Sequence, residues 1–85
     1  MTRPNDSDPV ETRLKWTIAV VLDLDAAQLG DDASSETIPA WDSVKQMDIV
    51  LAVESEFDVR FTDAAIPNLT SYRILRQELA ALGAA

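Results

Sequence analysis

The apolar positions of this chain recur mostly at helical spacing, and they mark out elements of unequal clarity. Val10, Leu14, Ile18, Val21 and Leu22 fall at i, i+4, i+8, i+11 and i+12, along one face of a helix. Its start is marked by Asp8 as cap, Pro9 at the first helical position and Glu11 at capping-box spacing, and its end is expected near Leu24. Residues 43–57 read as a second helix with two apolar stripes at about 100° per residue. Ile49, Val50, Val53 and Phe57 form one; Val44, Met47 and Leu51 form the other, bordered by Asp48, Glu54 and Asp58. One stripe must face the core, and the other is either buried too or an exposed docking strip. Thr62 is placed to cap a short helix that Pro67 ends. Thr70 or Ser71 then caps a last helix with Tyr72, Leu75, Leu79 and Leu82 on one face and Gly83 at its end.

Residues 25–42 carry Gly30, Pro39 and a cluster of Asp and Ser, so they read as a long loop, anchored by Leu29 and Ile38. A loop of that length in so small a domain is usually functional or mobile. The expected fold is therefore all-α: a small four-helix bundle of three main helices plus one short one, with the long loop between the first two. One domain is expected over residues 1–85, with a core from about 8 to 82 and residues 1–7 disordered.

Composition narrows what such a bundle does. An apolar share of 47% suits a packed core, while the absence of cysteine and histidine removes disulfides and the usual transition-metal ligands. No apolar run approaches the roughly 20 residues of a membrane span. The first eight residues lack the basic and apolar regions of a signal peptide, so a cytoplasmic protein is expected. The net charge of −8 is concentrated: residues 23–63 hold eleven acids against Lys45 and Arg60, net −9, while 1–22 are neutral and 64–85 carry +1. Such a middle repels phosphate backbones, which argues against nucleic acid, and attracts basic protein surfaces. The simpler reading of the same charge is a solvated acidic surface.

Catalytic constellations are missing. Serine hydrolysis needs a base beside the nucleophile, and Lys15 and Lys45, the two lysines, sit in no recognisable motif. Asp23 and Asp25 open like a calcium loop, but Gln28 and Ser34 stand where that loop requires Gly and Glu. Nor is there a glycine-rich phosphate loop. What remains is Ser43, a lone hydroxyl where the acidic loop turns into the second helix. Ser43-Val44-Lys45-Gln46 matches a capping box, so on spacing alone the hydroxyl either caps its own helix or is a place of attachment.

Trp41-Asp42-Ser43-Val44, followed by Met47 to Glu54 and then Ser55-Glu56-Phe57-Asp58-Val59, resembles the acyl carrier protein family. The family opens its second helix with Asp-Ser-Leu and closes the apolar run with Glu-x-Glu-Phe. The likeness spans roughly residues 10–82. Ala40 stands where many members have Gly, Val44 where most have Leu, and Lys45 where many have an acid or polar residue. The resemblance implies that Ser43, beside Asp42, receives 4′-phosphopantetheine from coenzyme A through a phosphopantetheinyl transferase. It implies a non-catalytic, monomeric carrier of acyl or aminoacyl thioesters, for fatty acids or secondary metabolites. Acyl-activating or acyl-transferring enzymes with basic docking surfaces would bind Val44, Met47 and Leu51, with Asp48 and Glu54 on the rim. Trp41 would shield the attachment point or pack the loop. The alternative is an unmodified helical interaction module in which Ser43 is only a cap.

Overall fold

In a computed structural model, which describes residues 4–84 apart from Asp6, three α-helices and two single 3-10 turns follow one another. Helix α1 spans Val10–Leu22, α2 Ser43–Phe57 and α3 Tyr72–Ala81. Among the described residues there is no strand, so the all-α class holds. The fourth, short helix is reduced to one 3-10 turn, Ile66–Asn68, and Pro67 sits inside it rather than ending it. In so short a turn the missing proline N–H removes no helical hydrogen bond. Thr62 caps the preceding turn instead, its hydroxyl accepting from the Ala65 amide at 3.2 Å.

Helix ends depart from the expected pattern where local competition decides them. Pro9, not Asp8, occupies the cap position of α1, and it makes no side-chain cap bond. The Asp8 carboxylate instead accepts from the Asn5 amide at 2.8 Å. Of the stretch expected to be disordered, residues 1–3 and 6 lie outside the described residues. Helix α1 stops at Leu22, two residues early, because Asp23 turns into the left-handed region at φ 58° and its amide closes back on Ala19 and Val20. Asp58 ends α2 in the same way at φ 52°. Ser71 caps α3, accepting from the Ile74 amide at 3.1 Å. Helix α3 ends at Ala81 and Gly83 at φ 80° turns the chain away just after Leu82, which stays 46% exposed rather than joining the core stripe.

Leu14, Ile18 and Leu22 of α1 meet Ile49, Val50, Val53 and Phe57 of α2, with Tyr72, Leu75 and Leu79 of α3 and the intervening Phe61 and Leu69 completing one core. Helix α1 lies chiefly against α2 and less extensively against α3. The long loop is more ordered than its composition suggests. Asp25 and Gln28 close a reciprocal capping box around the 3-10 turn Ala26–Gln28. Leu29, Ala33 and Trp41 are its buried anchors, whereas Ile38 is half-buried. Further on, the Ser35 amide donates to the Thr70 carbonyl and the Tyr72 amide to the Ala33 carbonyl, each at 2.9 Å, so the loop is stitched to the entry of α3. Lys15 of α1 holds the loop from the other side through Asp31 at 2.8 Å, and that hydrogen bond keeps the Asp31 carboxyl below the usual carboxylate range.

Candidate functional site

The loop, α2 and the turn before α3 converge at the N-terminus of α2. Asp42 is the cap: its backbone is extended, its Oδ1 accepts from the Lys45 amide at 2.9 Å and its carbonyl accepts from the Gln46 amide at 2.8 Å. Ser43 is therefore the first helical residue and is exposed. Among the described residues its hydroxyl has no hydrogen-bond partner. The capping box read from Ser43 and Gln46 does not form. Gln46 is committed elsewhere. Its Oε1 accepts from the Trp41 indole N–H at 2.6 Å, and its Nε2 donates to the carbonyls of Leu69 and, at 3.5 Å, Ile66.

This relay packs Trp41, 2% exposed, against the first turn of α2. Beside it opens a cleft of about 330 Å³ lined by Ser35, Trp41, Asp42, Ser43, Gln46, Pro67 and Thr70. Asp42 and Ser43 thus share one rim. Ser35, which no sequence pattern singled out, and Thr70, read in the sequence only as a candidate helix cap, stand on the walls because the loop-to-α3 stitch brings together residues far apart in the chain. No local periodicity carries a signal for such a pairing. Gln46 was visible in the sequence, but as a capping partner.

The remaining site residues lie along α2. Val44, Met47 and Leu51 are 69%, 45% and 58% exposed, with Asp48 exposed alongside them, so the second stripe is a surface strip and not a second buried face. Glu54 is half-buried and divides its role: one carboxylate oxygen accepts from the Phe61 amide at 2.8 Å, bracing the turn after α2. Beyond it a shallow groove of about 480 Å³ runs along Leu51, Glu54, Ser55, Asp58, Val59 and Arg60. Among the described residues no helix is long and apolar enough to cross a membrane, and no three carboxylates converge as a metal site requires.

No family model matches the chain. It is similar to the polyketide-8 synthase acyl carrier protein 2 of Streptomyces avermitilis, 34% identical over 71 residues that cover 79% of this chain and 82% of that protein.

Proposed function

The chain belongs to the acyl carrier protein family, and from that premise we propose that Ser43 is the attachment point of a 4′-phosphopantetheine arm. The observation that carries this reading is the state of the serine: exposed, at the first turn of α2, with its hydroxyl released from capping because Asp42 caps. That geometry weakens the rival reading of a serine retained only as a cap. The residues also suit the group chemically. The amides of Ser43 and Val44 precede the first helical hydrogen bonds of α2, and a phosphodiester on Ser43 would lie at this positive end of the helix dipole. When bound, the arm supplies a thiol that carries an acyl group as a thioester.

This chain's own residues then present and do not catalyse. Among the described residues no side chain hydrogen-bonds the Ser43 hydroxyl, and the Asp42 carboxylate is engaged by the Lys45 amide, so the proton of that hydroxyl is taken by a group of the transferase. Asp42 fixes the helix start and with it the direction of Ser43. Val44, Met47 and Leu51 offer partners an apolar contact, while Asp48 and the free oxygen of Glu54 pair with basic residues on the rim. Exposed pairs of this kind supply orientation and on-rate more than affinity, which suits a carrier that must leave each partner. Tethering raises the effective concentration of the cargo at each active site. The relative's name places it with a polyketide synthase, and we take the cargo here to be an acyl group of secondary-metabolite synthesis, carried by a cytoplasmic monomer.

The test is a mass measurement. Incubation with coenzyme A and a broad-specificity phosphopantetheinyl transferase is expected to add the mass of the arm, and Ser43→Ala to abolish the addition. An unchanged wild-type mass, with a control carrier modified in the same tube, overturns the assignment.

A further inference from the structure

We propose that Lys45 is a specificity-determining residue, a cation that makes the first turn of α2 selective among partners. It repels a docking surface that is basic throughout and favours one that sets a carboxylate opposite that turn. The inference rests on Ser43 being the attachment point and goes beyond it by stating which partners are excluded.

Lys45 stands where its charge does not help the fold. It lies inside the first turn of α2, where the positive end of the helix dipole disfavours a cation. No ion pair offsets this. Arg13, Lys15 and Arg76 each hold a carboxylate, whereas Lys45 holds none among the described residues. Residues 23–63 carry eleven acids, so the missing pair is not for want of candidates. Asp48 lies three residues further on, but a lysine on the N-terminal side of its acid is the less favourable order in a helix. The Asp42 Oδ1 accepts from the backbone amide of Lys45. Arg60 makes the contrast. It too has no ion pair among the described residues, yet it follows the C-terminal end of α2, where a cation suits the dipole.

Its place on the helix gives the charge a use. At about 100° per residue, Lys45 falls on the flank of α2 beyond Asp48, bordering the exposed strip of Val44, Met47 and Leu51. Ala52 and Glu56 continue that flank toward Trp16 and Val20 of α1. Lys45 follows Ser43 by two residues, a rise of about 3 Å along the axis. A partner that brings its active site to Ser43 and an apolar contact to Val44 therefore comes within reach of the lysine side chain. Opposite Asp48 and Glu54 such a partner gains from bases, but opposite Lys45 a base is repelled. The acids select basic partners as a class, and the lysine divides that class.

The experiment follows loading of the full chain by mass, with coenzyme A and a phosphopantetheinyl transferase chosen for a docking surface lined only by lysine and arginine. Wild type, Lys45→Gln, Lys45→Glu and Arg73→Gln are compared at low and high salt. One exposed charge contact is worth about two- to fivefold, so Lys45→Gln should raise kcat/KM by that factor and Lys45→Glu by more. The gain should lie in KM with kcat unchanged, and should fade at about 1 M salt, where the Debye length is roughly 3 Å. Arg73→Gln makes the same change in net charge at an exposed residue of α3, without an ion pair among the described residues, and should leave kcat/KM nearly unchanged. The urea midpoint of Lys45→Gln should equal or exceed that of wild type, since no native pair is lost. An unchanged or lower kcat/KM for Lys45→Glu overturns the proposal, as does an equal gain from Arg73→Gln, which would reduce the effect to net charge. A lower urea midpoint for Lys45→Gln overturns it too, by revealing a structural partner. In each of these outcomes the wild type still gains the mass of the arm and attachment at Ser43 stands. A wild type that gains no mass overturns both.

Discussion

Gln46 joins parts of the chain that no short pattern links: the indole of Trp41 at the end of the loop, α2 itself, and the Leu69 carbonyl before α3. Replacing it with Leu keeps most of the volume and removes both ends of the relay. The Trp41 N–H and the Leu69 carbonyl then lose their partner in a buried setting, at about 1–3 kcal/mol for each group left unsatisfied. Gln46→Leu is therefore expected to destabilise the fold by at least about 2 kcal/mol, read from the urea midpoint at constant slope. A loss below about 0.5 kcal/mol, the usual range of surface changes, would show that the relay is incidental. The same residue explains where the sequence misled. The pattern from Ser43 to Gln46 points to the serine as cap, whereas the cap is Asp42, one residue earlier. A capping box needs that glutamine to fold back on its own helix, and here tertiary contacts draw it the other way. Side-chain allegiance between distant segments is set by packing, and a linear pattern does not contain it.

At the scale of the element, α2 was legible because both ends and both faces are written locally. It runs from Ser43 to Phe57 as the pattern predicts, between the Asp42 cap and the left-handed Asp58. Its two stripes separate cleanly into a core face, with Ile49, Val50 and Val53 fully buried, and an open face. Phe57, 9% exposed with the Arg13 guanidinium 4.4 Å from its ring centre, belongs to the first. Phe57→Ala should cost about 3–5 kcal/mol through lost transfer energy and the cavity left behind. Met47→Ala, on the open face, should cost less than about 1 kcal/mol. Denaturant melts of the two variants decide this, and comparable losses would mean the open face is covered by something in solution. The weaker elements were less legible. The segment at Pro67 has room for one 3-10 turn because Phe61 and Leu69 are both drawn into the core on either side of it. Leu82 kept the helical period of its predecessors, yet the chain leaves the helix at Ala81 before the period can bury it.

Across the whole molecule, α1 is the electrostatic tie between the other parts, a role that the neutral sum of residues 1–22 conceals. Glu11 pairs with Arg76 of α3, Arg13 with Glu56 of α2, and Lys15 with Asp31 of the loop. The charge totals of each segment could be read from the sequence, but not these partnerships, which depend on how the helices cross. The pairs are unequal. The Arg13 and Glu56 side chains are 12% and 8% exposed, and Arg13 also donates to the Glu56 carbonyl at 3.0 Å. The Arg76 and Glu11 side chains are 50% and 43% exposed. Removing one partner of a buried pair costs roughly 3 kcal/mol or more, because the remaining charge keeps its desolvation penalty, whereas an exposed pair contributes about 0–1 kcal/mol. Arg13→Ala should accordingly destabilise far more than Arg76→Ala. Salt separates the two further: at about 1 M the Debye length falls to roughly 3 Å, so the small Arg76 contribution should vanish while most of the Arg13 cost persists. Melts of both variants at low and high salt measure this. Equal losses at low salt, or an Arg13 cost that disappears with salt, would mean that apolar packing alone sets the angle between α1 and α2. In that case the exposed strip on α2 would owe its placement to the core and not to the ion pair between α1 and α2.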